Sequence, residues 1–236
     1  MAGILLIVTA AGDSTLFTMA DMTKSSILSH IQTLGLVPVI RADSPDEAMR
    51  IIDAVKEGGV DVLEITMTVP GAIGVMEQVV SRYGNDVIVG AGTVLDPETA
   101  RMCILAGAKF VVSPALNPGT VEICRRYSIP VMPGALTPTE VVSAWQAGAD
   151  MVKVFPCSAL GGASYIKALK APLPQIELIP TGGVNLKTAG EFIKAGSAAL
   201  GVGSDLVDLK ALKESGPKVL TERAREFVRL VQEARA

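Results

Sequence analysis

The chain has 236 residues, 49% of them hydrophobic and 19% charged, with a formal charge of -3. So apolar a composition fills a packed core and excludes disorder, while 21 basic residues scattered among 24 acidic ones leave no footprint for nucleic acid or an anionic membrane. Cys103, Cys124 and Cys157 form no CxxC pair and His30 is the only histidine, so neither a zinc site nor a disulfide framework is expected, and a reducing cytoplasm fits.

Residues 1–22 read as an irregular extension. The run GILLIVTAA (3–11) is apolar but shorter than the ~20 residues that span a bilayer, and no basic residue precedes Ile4, which argues against a secretory signal. An upstream start before Met19 or Met22 would account for it. From 23 to 236 no Pro/Ser-rich linker or charge run divides the chain, so a single domain is expected.

That domain opens on a helical stretch over 24–33, after which short β-branched runs alternate with longer amphipathic ones. The strand candidates are 36–41, 60–66, 86–92, 109–113, 130–133, 150–155, 176–181 and 198–203, eight in all. The helices between them carry terminal signals. Ser44-Pro45, Asp96-Pro97, Asn117-Pro118 and Thr137-Pro138 each set a capping side chain before a proline at the first helical position, and Gly58, Gly107 and Gly148 close three of the segments. Eight βα units with right-handed crossovers predict an α/β (β/α)8 TIM barrel with an extra N-terminal helix. The doubly wound sheet is the rival fold, but no GxGxxG follows the first strand.

Barrel chemistry sits at the C-terminal ends of strands. Two residues there break an apolar pattern: Lys153 in MVKVF and Glu64 in LEIT. Strand alternation puts Val62, Glu64 and Thr66 on one face and Met151, Lys153 and Phe155 on another, so both polar groups can point to the barrel axis. A desolvated amine disfavours its charged form and becomes a nucleophile for a carbonyl; a neighbouring carboxylate can relay protons. A buried ion pair explains the same two residues equally well. Strand seven ends in Thr181-Gly182-Gly183 and strand eight in Gly203-Ser204, where backbone amides can cradle a phosphate, although glycine also serves ordinary turns. Gly92 and Thr93 can approach a small carboxylate and Arg41 can add a charge, against the plainer reading of a turn and a surface arginine. Phe155 and its proline shape a loop, Trp145 and Met151 read as packing, and His30 is given no chemical role.

With these residues in place the sequence resembles the 2-keto-3-deoxy-6-phosphogluconate aldolase and 4-hydroxy-2-oxoglutarate aldolase family. The resemblance rests on PVIR (38–41), GGVDVLEIT (58–66), VGAGTVLDP (89–97), VSPALNP (112–118), PVMPGALTPTE (130–140), VKVFP (152–156), IPTGGVN (179–185) and GVGS (201–204), in order along almost the whole chain from residue 24. It implies a trimeric barrel working without cofactor or metal. By the resemblance Lys153 is the Schiff-base lysine and Glu64 the general acid/base; Thr93 with Gly92 holds the pyruvyl carboxylate, and Arg41, Phe155 and Thr181 contact substrate. Gly182, Gly183, Gly203 and Ser204 bind phosphate. One departure stands out: an arginine that some members carry after the LEIT-like segment is absent from Met67-Thr68-Val69-Pro70, which puts carboxylate binding and acceptor specificity in doubt.

The activity so implied is class I aldol cleavage of a phosphorylated 2-keto acid, first 2-keto-3-deoxy-6-phosphogluconate, to pyruvate and glyceraldehyde 3-phosphate. Its galactonate epimer and unphosphorylated 4-hydroxy-2-oxoglutarate are alternatives with the same chemistry. A phosphate-binding barrel isomerase or synthase, or a catalytically silent assembly scaffold, are alternatives of another class.

Overall fold

A computed structural model describes residues 22–236; apart from Met22, the N-terminal extension expected from the sequence lies outside the described residues. The elements are α1 (Lys24–Leu34), β1 (Leu36–Ile40), α2 (Pro45–Glu57), β2 (Val62–Thr66), α3 (Ala72–Tyr83), β3 (Ile88–Gly92), α4 (Pro97–Leu105), β4 (Val111–Val112), α5 (Pro118–Arg126) and β5 (Val131–Met132), then β6 (Gly134–Ala135), α6 (Pro138–Ala147), β7 (Val152–Val154), α7 (Ala163–Lys170), β8 (Leu178–Pro180), α8 (Ala189–Lys194), β9 (Leu200–Val202), α9 (Leu209–Ser215) and α10 (Lys218–Arg235). The four cap-proline pairs start helices: the side chains of Ser44, Asp96, Asn117 and Thr137 accept from the backbone N–H of Glu47, Thr99, Thr120 and Glu140. Each satisfies one orphan donor of the first turn, and the proline gives up an N–H that had no partner.

All strand pairs are parallel, and the sheet curls. Its hydrogen-bonded order differs from the expected continuous eight. A six-stranded sheet runs β5-β4-β3-β2-β1-β9 and a three-stranded sheet runs β6-β7-β8. The split falls at Pro133, the last residue of the expected strand 130–133, which has no N–H to donate; β5 ends before it and β6 begins beyond it, although its carbonyl still accepts from Lys153 N at 2.9 Å. On the other side a single bridge, Thr181 to Gly201, links the two sheets. The strands are also shorter than the apolar runs. Lys109 N donates to Val89 O and Ser113 N to Met132 O, so residues flanking β4 are bonded yet lie outside the ladder.

The core has two parts. Outside the sheet, helix residues such as Ile51, Ile52, Met76, Phe192 and Phe227 bury one face of the strands. Inside, Val37, Val62, Ile88, Phe110, Val112, Met132, Met151 and Ile179 form an apolar floor on which Ile27 and Ile31 of α1 sit. Val62 and Met151 lie two residues before Glu64 and Lys153, so the floor lies toward the N-terminal ends of the strands and the polar residues begin above it. Met151 thus packs as expected. Trp145 does not: it stands 43% exposed on α6, whose buried residues are Val141 and Ala144. Among the described residues no helix is long and apolar enough to cross a membrane.

Among the polar contacts that hold α1 against the barrel are Lys24 Nζ to Asp150 Oδ1 at 2.8 Å, His30 Nε2 to Asp61 Oδ1 at 2.8 Å and Arg235 Nη1 to Thr33 O at 2.6 Å. The hydrogen bond to Asp61 raises the His30 imidazole above its ordinary 6.5, outweighing the opposite effect of burial. A raised value means that the folded state binds the proton more tightly than the unfolded chain. Its stabilisation is therefore complete below about pH 6.5 and disappears as pH rises through the raised value. Thermal unfolding of wild type and His30→Asn across pH 5 to 9 should show a melting-temperature gap that is widest at acid pH and closes toward alkaline pH; a gap constant across that range refutes the assignment.

Candidate active site

Lys153 lies mid-way along β7 between Val152 and Val154, which pack into the outer core, so alternation turns the lysine inward. Glu64 is likewise at the centre of β2. The two residues are 6% and 2% exposed, and Nζ stands 3.7 Å from Glu64 Oε1. The Phe155 ring, next on the same face of the chain, has its centroid 5.4 Å from the ammonium. Glu64 Oε1 accepts no hydrogen bond among the described residues, so a buried acceptor faces the amine with room for a further donor.

Glycine makes room for this carboxylate. Gly92 closes β3 opposite Thr66, and a Cβ there would lie 2.1 Å from Glu64 Oε1. The sequence reading put Gly92 against substrate; here it forms the wall behind Glu64 and does not line the cleft above.

That cleft, about 690 Å³, opens at the C-terminal ends of the strands and is lined by Arg41, Thr93, Lys153, Phe155, Thr181, Gly182, Gly183, Gly203 and Ser204. All the remaining candidates except buried Glu64 are therefore gathered on one surface. Arg41 is exposed and lines the cleft. Thr93 holds a left-handed backbone, φ 59, unusual for a β-branched residue. Gly182 and Gly183 are left-handed too, at φ 91 and 77, and both line the cleft. Gly201 lets the neighbouring strand in close, since a Cβ there would meet Thr181 Oγ1 at 2.2 Å.

Sequence reasoning missed Pro114 and four residues after Ser204: Asp205, Val207, Asp208 and Leu209. Pro114 lines the cleft and its carbonyl carbon would lie 2.1 Å from a Cβ on Gly134, so the glycine of β6 admits the loop. Asp208 lines the cleft while capping α9, accepting from Ala211 N at 2.9 Å and pairing with Arg223 Nη1 at 3.0 Å. These contacts, the Ala211 amide first, hold its carboxyl below the usual range. The capping signal was present in Asp208-Leu-Lys-Ala, but nothing local says that this cap faces a cleft. The segment after Glu64 that lacks an arginine contributes nothing to the lining: Thr68 Oγ1 pairs with Thr66 Oγ1 at 2.7 Å, and Met67 sulfur meets the Cys103 thiol at 3.5 Å.

Cys157 follows the cleft residue Phe155, yet burial pushes its thiol up to about 11, so it is no thiolate nucleophile at neutral pH. An amine beside a carboxylate can condense with a carbonyl and move protons at the same carbon. A model of the KDPG and KHG aldolase family matches residues 27–221. The chain belongs to this family. It is an aldolase, and so a lyase. The 2-dehydro-3-deoxy-6-phosphogalactonate aldolase of Escherichia coli (strain K12) is 36% identical over 204 residues, 85% of this chain and 96% of that protein. A KDPG aldolase from Legionella pneumophila, solved with pyruvate captured as a covalent carbinolamine, is 29% identical with a TM-score of 0.77, covering 86% of this chain and 97% of that one. A chain in a cube-shaped cage designed by fusing symmetric oligomeric domains is 34% identical with a TM-score of 0.78, covering 85% and 73%.

The contact between Gly92 and Glu64 gives this aldolase a sharp packing test. Gly92→Ala adds one methyl where no space exists and should lower stability by about 1–3 kcal/mol in urea unfolding. A crystal structure of the variant should show the Glu64 carboxylate displaced; an unmoved carboxylate with unchanged stability would contradict the geometry.

Proposed function

We propose that the protein is a class I aldolase that cleaves 2-keto-3-deoxy-6-phosphogluconate to pyruvate and glyceraldehyde 3-phosphate through a Schiff base on Lys153. The observation that carries this reading is the buried Lys153–Glu64 pair, 3.7 Å apart, beneath a cleft whose far wall is built from glycine amides. The carbinolamine trapped in the Legionella relative supports the covalent step.

In this mechanism Lys153 Nζ attacks the C2 ketone, and Glu64 gives a proton to the departing C2 oxygen, which leaves as water from the carbinolamine. The resulting iminium is an electron sink. Glu64, now a base, takes the proton of the C4 hydroxyl; the C3–C4 bond breaks, its electrons pass to the iminium nitrogen, and the aldehyde leaves. Protonation of the enamine at C3 restores an iminium, and water hydrolyses it to pyruvate and free lysine. Thr93 and Arg41 bind the carboxylate and hydroxyl end of the donor in this reading, Phe155 and Thr181 flank it, and Gly182, Gly183, Gly203 and Ser204 donate amides or hydroxyl to the phosphate. The galactonate epimer is a second candidate because a 36% identical relative is named for it.

The same reading treats residues 23–236 as one catalytic domain in which the two sheets act as a single closed eight-stranded barrel, β5 and β6 counting as one strand interrupted at Pro133. The bridge from Thr181 to Gly201 on the other flank supports that closure. Three free, buried cysteines suit a reducing compartment, the cytoplasm. A homotrimer is also part of the proposal. Exposed Leu95, Met102, Leu105, Tyr127 and Trp145 all belong to the sector from α4 to α6, and the cage built from symmetric oligomeric domains supports assembly by copies of such a chain.

Pyruvate with sodium borohydride should add one reduced pyruvyl group to the wild type, mapped by mass spectrometry to Lys153, and none to Lys153→Met; an adduct elsewhere, or none on folded wild type, overturns the assignment. Glu64→Gln should retain the fold and lose about 10²–10⁴ in kcat. Comparing the two phosphorylated epimers and 4-hydroxy-2-oxoglutarate by kcat/KM selects the donor. Leu105→Asp should reduce the mass seen by light scattering from three chains to one while circular dichroism is kept; an unchanged mass removes this face from the interface.

A further inference from the structure

The cleft has two sides that are remote in sequence and adjacent in space. Pairing of β1 with β9, Pro38 opposite Val202, puts the loop that carries Arg41 beside the loop that carries Gly203 and Ser204. Beyond the mouth one lysine of α9, the helix that follows the Gly203-Ser204 loop, reaches the Arg41 side. Lys213, in the last turn of α9, lies 2.9 Å from Asp43 Oδ2 and 3.9 Å from Glu47 Oε1. The same α9 begins with the cleft residues Asp208, as its cap, and Leu209.

Glu47 gives this contact its weight. It is 4% exposed, and its other oxygen accepts from the Asp43 backbone N–H at 2.7 Å, while its own N–H donates to Ser44 Oγ. A carboxylate so buried needs a cation. Lys213 is the basic residue within salt-bridge distance of it, and it simultaneously holds Asp43, two residues from Arg41. An exposed pair alone would do little. A lysine that neutralises a buried carboxylate, whose other oxygen fixes the neighbouring loop amide, sets the path of that loop.

We propose that Lys213, with Asp43 and Glu47, is a positioning residue that straps the Arg41 loop to α9 and so fixes the width of the cleft mouth across which a phosphorylated donor must bind. The inference rests on the substrate-binding reading of Arg41 and the Gly203-Ser204 loop. Lys213 touches no reacting atom. Its loss should therefore weaken binding and spare the chemistry.

The test compares wild type, Lys213→Met and Lys213→Arg as full chains. Lys213→Met should raise KM for 2-keto-3-deoxy-6-phosphogluconate about two- to fivefold with kcat unchanged, weaken inorganic phosphate by a similar factor in calorimetry, and speed hydrogen exchange of the Asp43 amide; Lys213→Arg should restore all three. Asp43→Asn should reproduce the effect and add nothing to Lys213→Met. Faster exchange with unchanged KM and phosphate affinity overturns the strap while leaving the aldolase reading intact, as does a parallel loss of kcat and melting temperature. Absent cleavage by wild type defeats the aldolase reading instead, and the phosphate and exchange measurements still decide the strap.

Discussion

Everything else in this molecule is arranged around an amine and a carboxylate held 3.7 Å apart in an apolar interior. Removing two such groups from water is unfavourable, and their mutual attraction offsets that only in good geometry. The geometry here is imposed by backbone. Glu64 pairs in register with Val39 and Gly90, Lys153 with Gly134 and Ile179, so four other strands fix the two that carry the pair. Glycines at 90, 92 and 134 then clear the space, for the Phe110 ring, the Glu64 carboxylate and the Pro114 carbonyl in turn. The pair is accommodated because its neighbours have no side chains where they would collide.

The far end of the cleft follows a different principle. There Gly182 and Gly183 are needed for a left-handed backbone that other residues rarely adopt. The carboxylate among its liners that caps α9 is already balanced by Arg223 and by a helix amide.

Much of this was legible in the letters. Eight apolar runs, four capped helices and the lone Lys and Glu in otherwise apolar strands are local patterns, and local patterns survive translation into coordinates. What was not legible depends on contacts between distant segments. Gly92 reads the same whether it faces a ligand or a carboxylate, and only the register of β2 against β3 decides. The break at Pro133 was visible as a proline, but its effect on the ladder was not, because flanking hydrogen bonds decide how far a strand extends. Trp145 was read as core from its size; its place on α6 is set by which face Val141 and Ala144 turn inward. Asp205, Val207, Asp208 and Leu209 line the cleft because β9 lies beside β1.

The apolar floor beneath Glu64 and Lys153, sealed by Ile27 and Ile31, has a consequence for traffic. With that end packed shut, the chamber is a blind alley: in the mechanism proposed above, a two-part molecule would enter keto end first, and the portion nearest the mouth would depart before the portion bonded to the lysine. The plug would thereby set the order of product release, and water for the last hydrolysis would arrive through the doorway the aldehyde had just vacated.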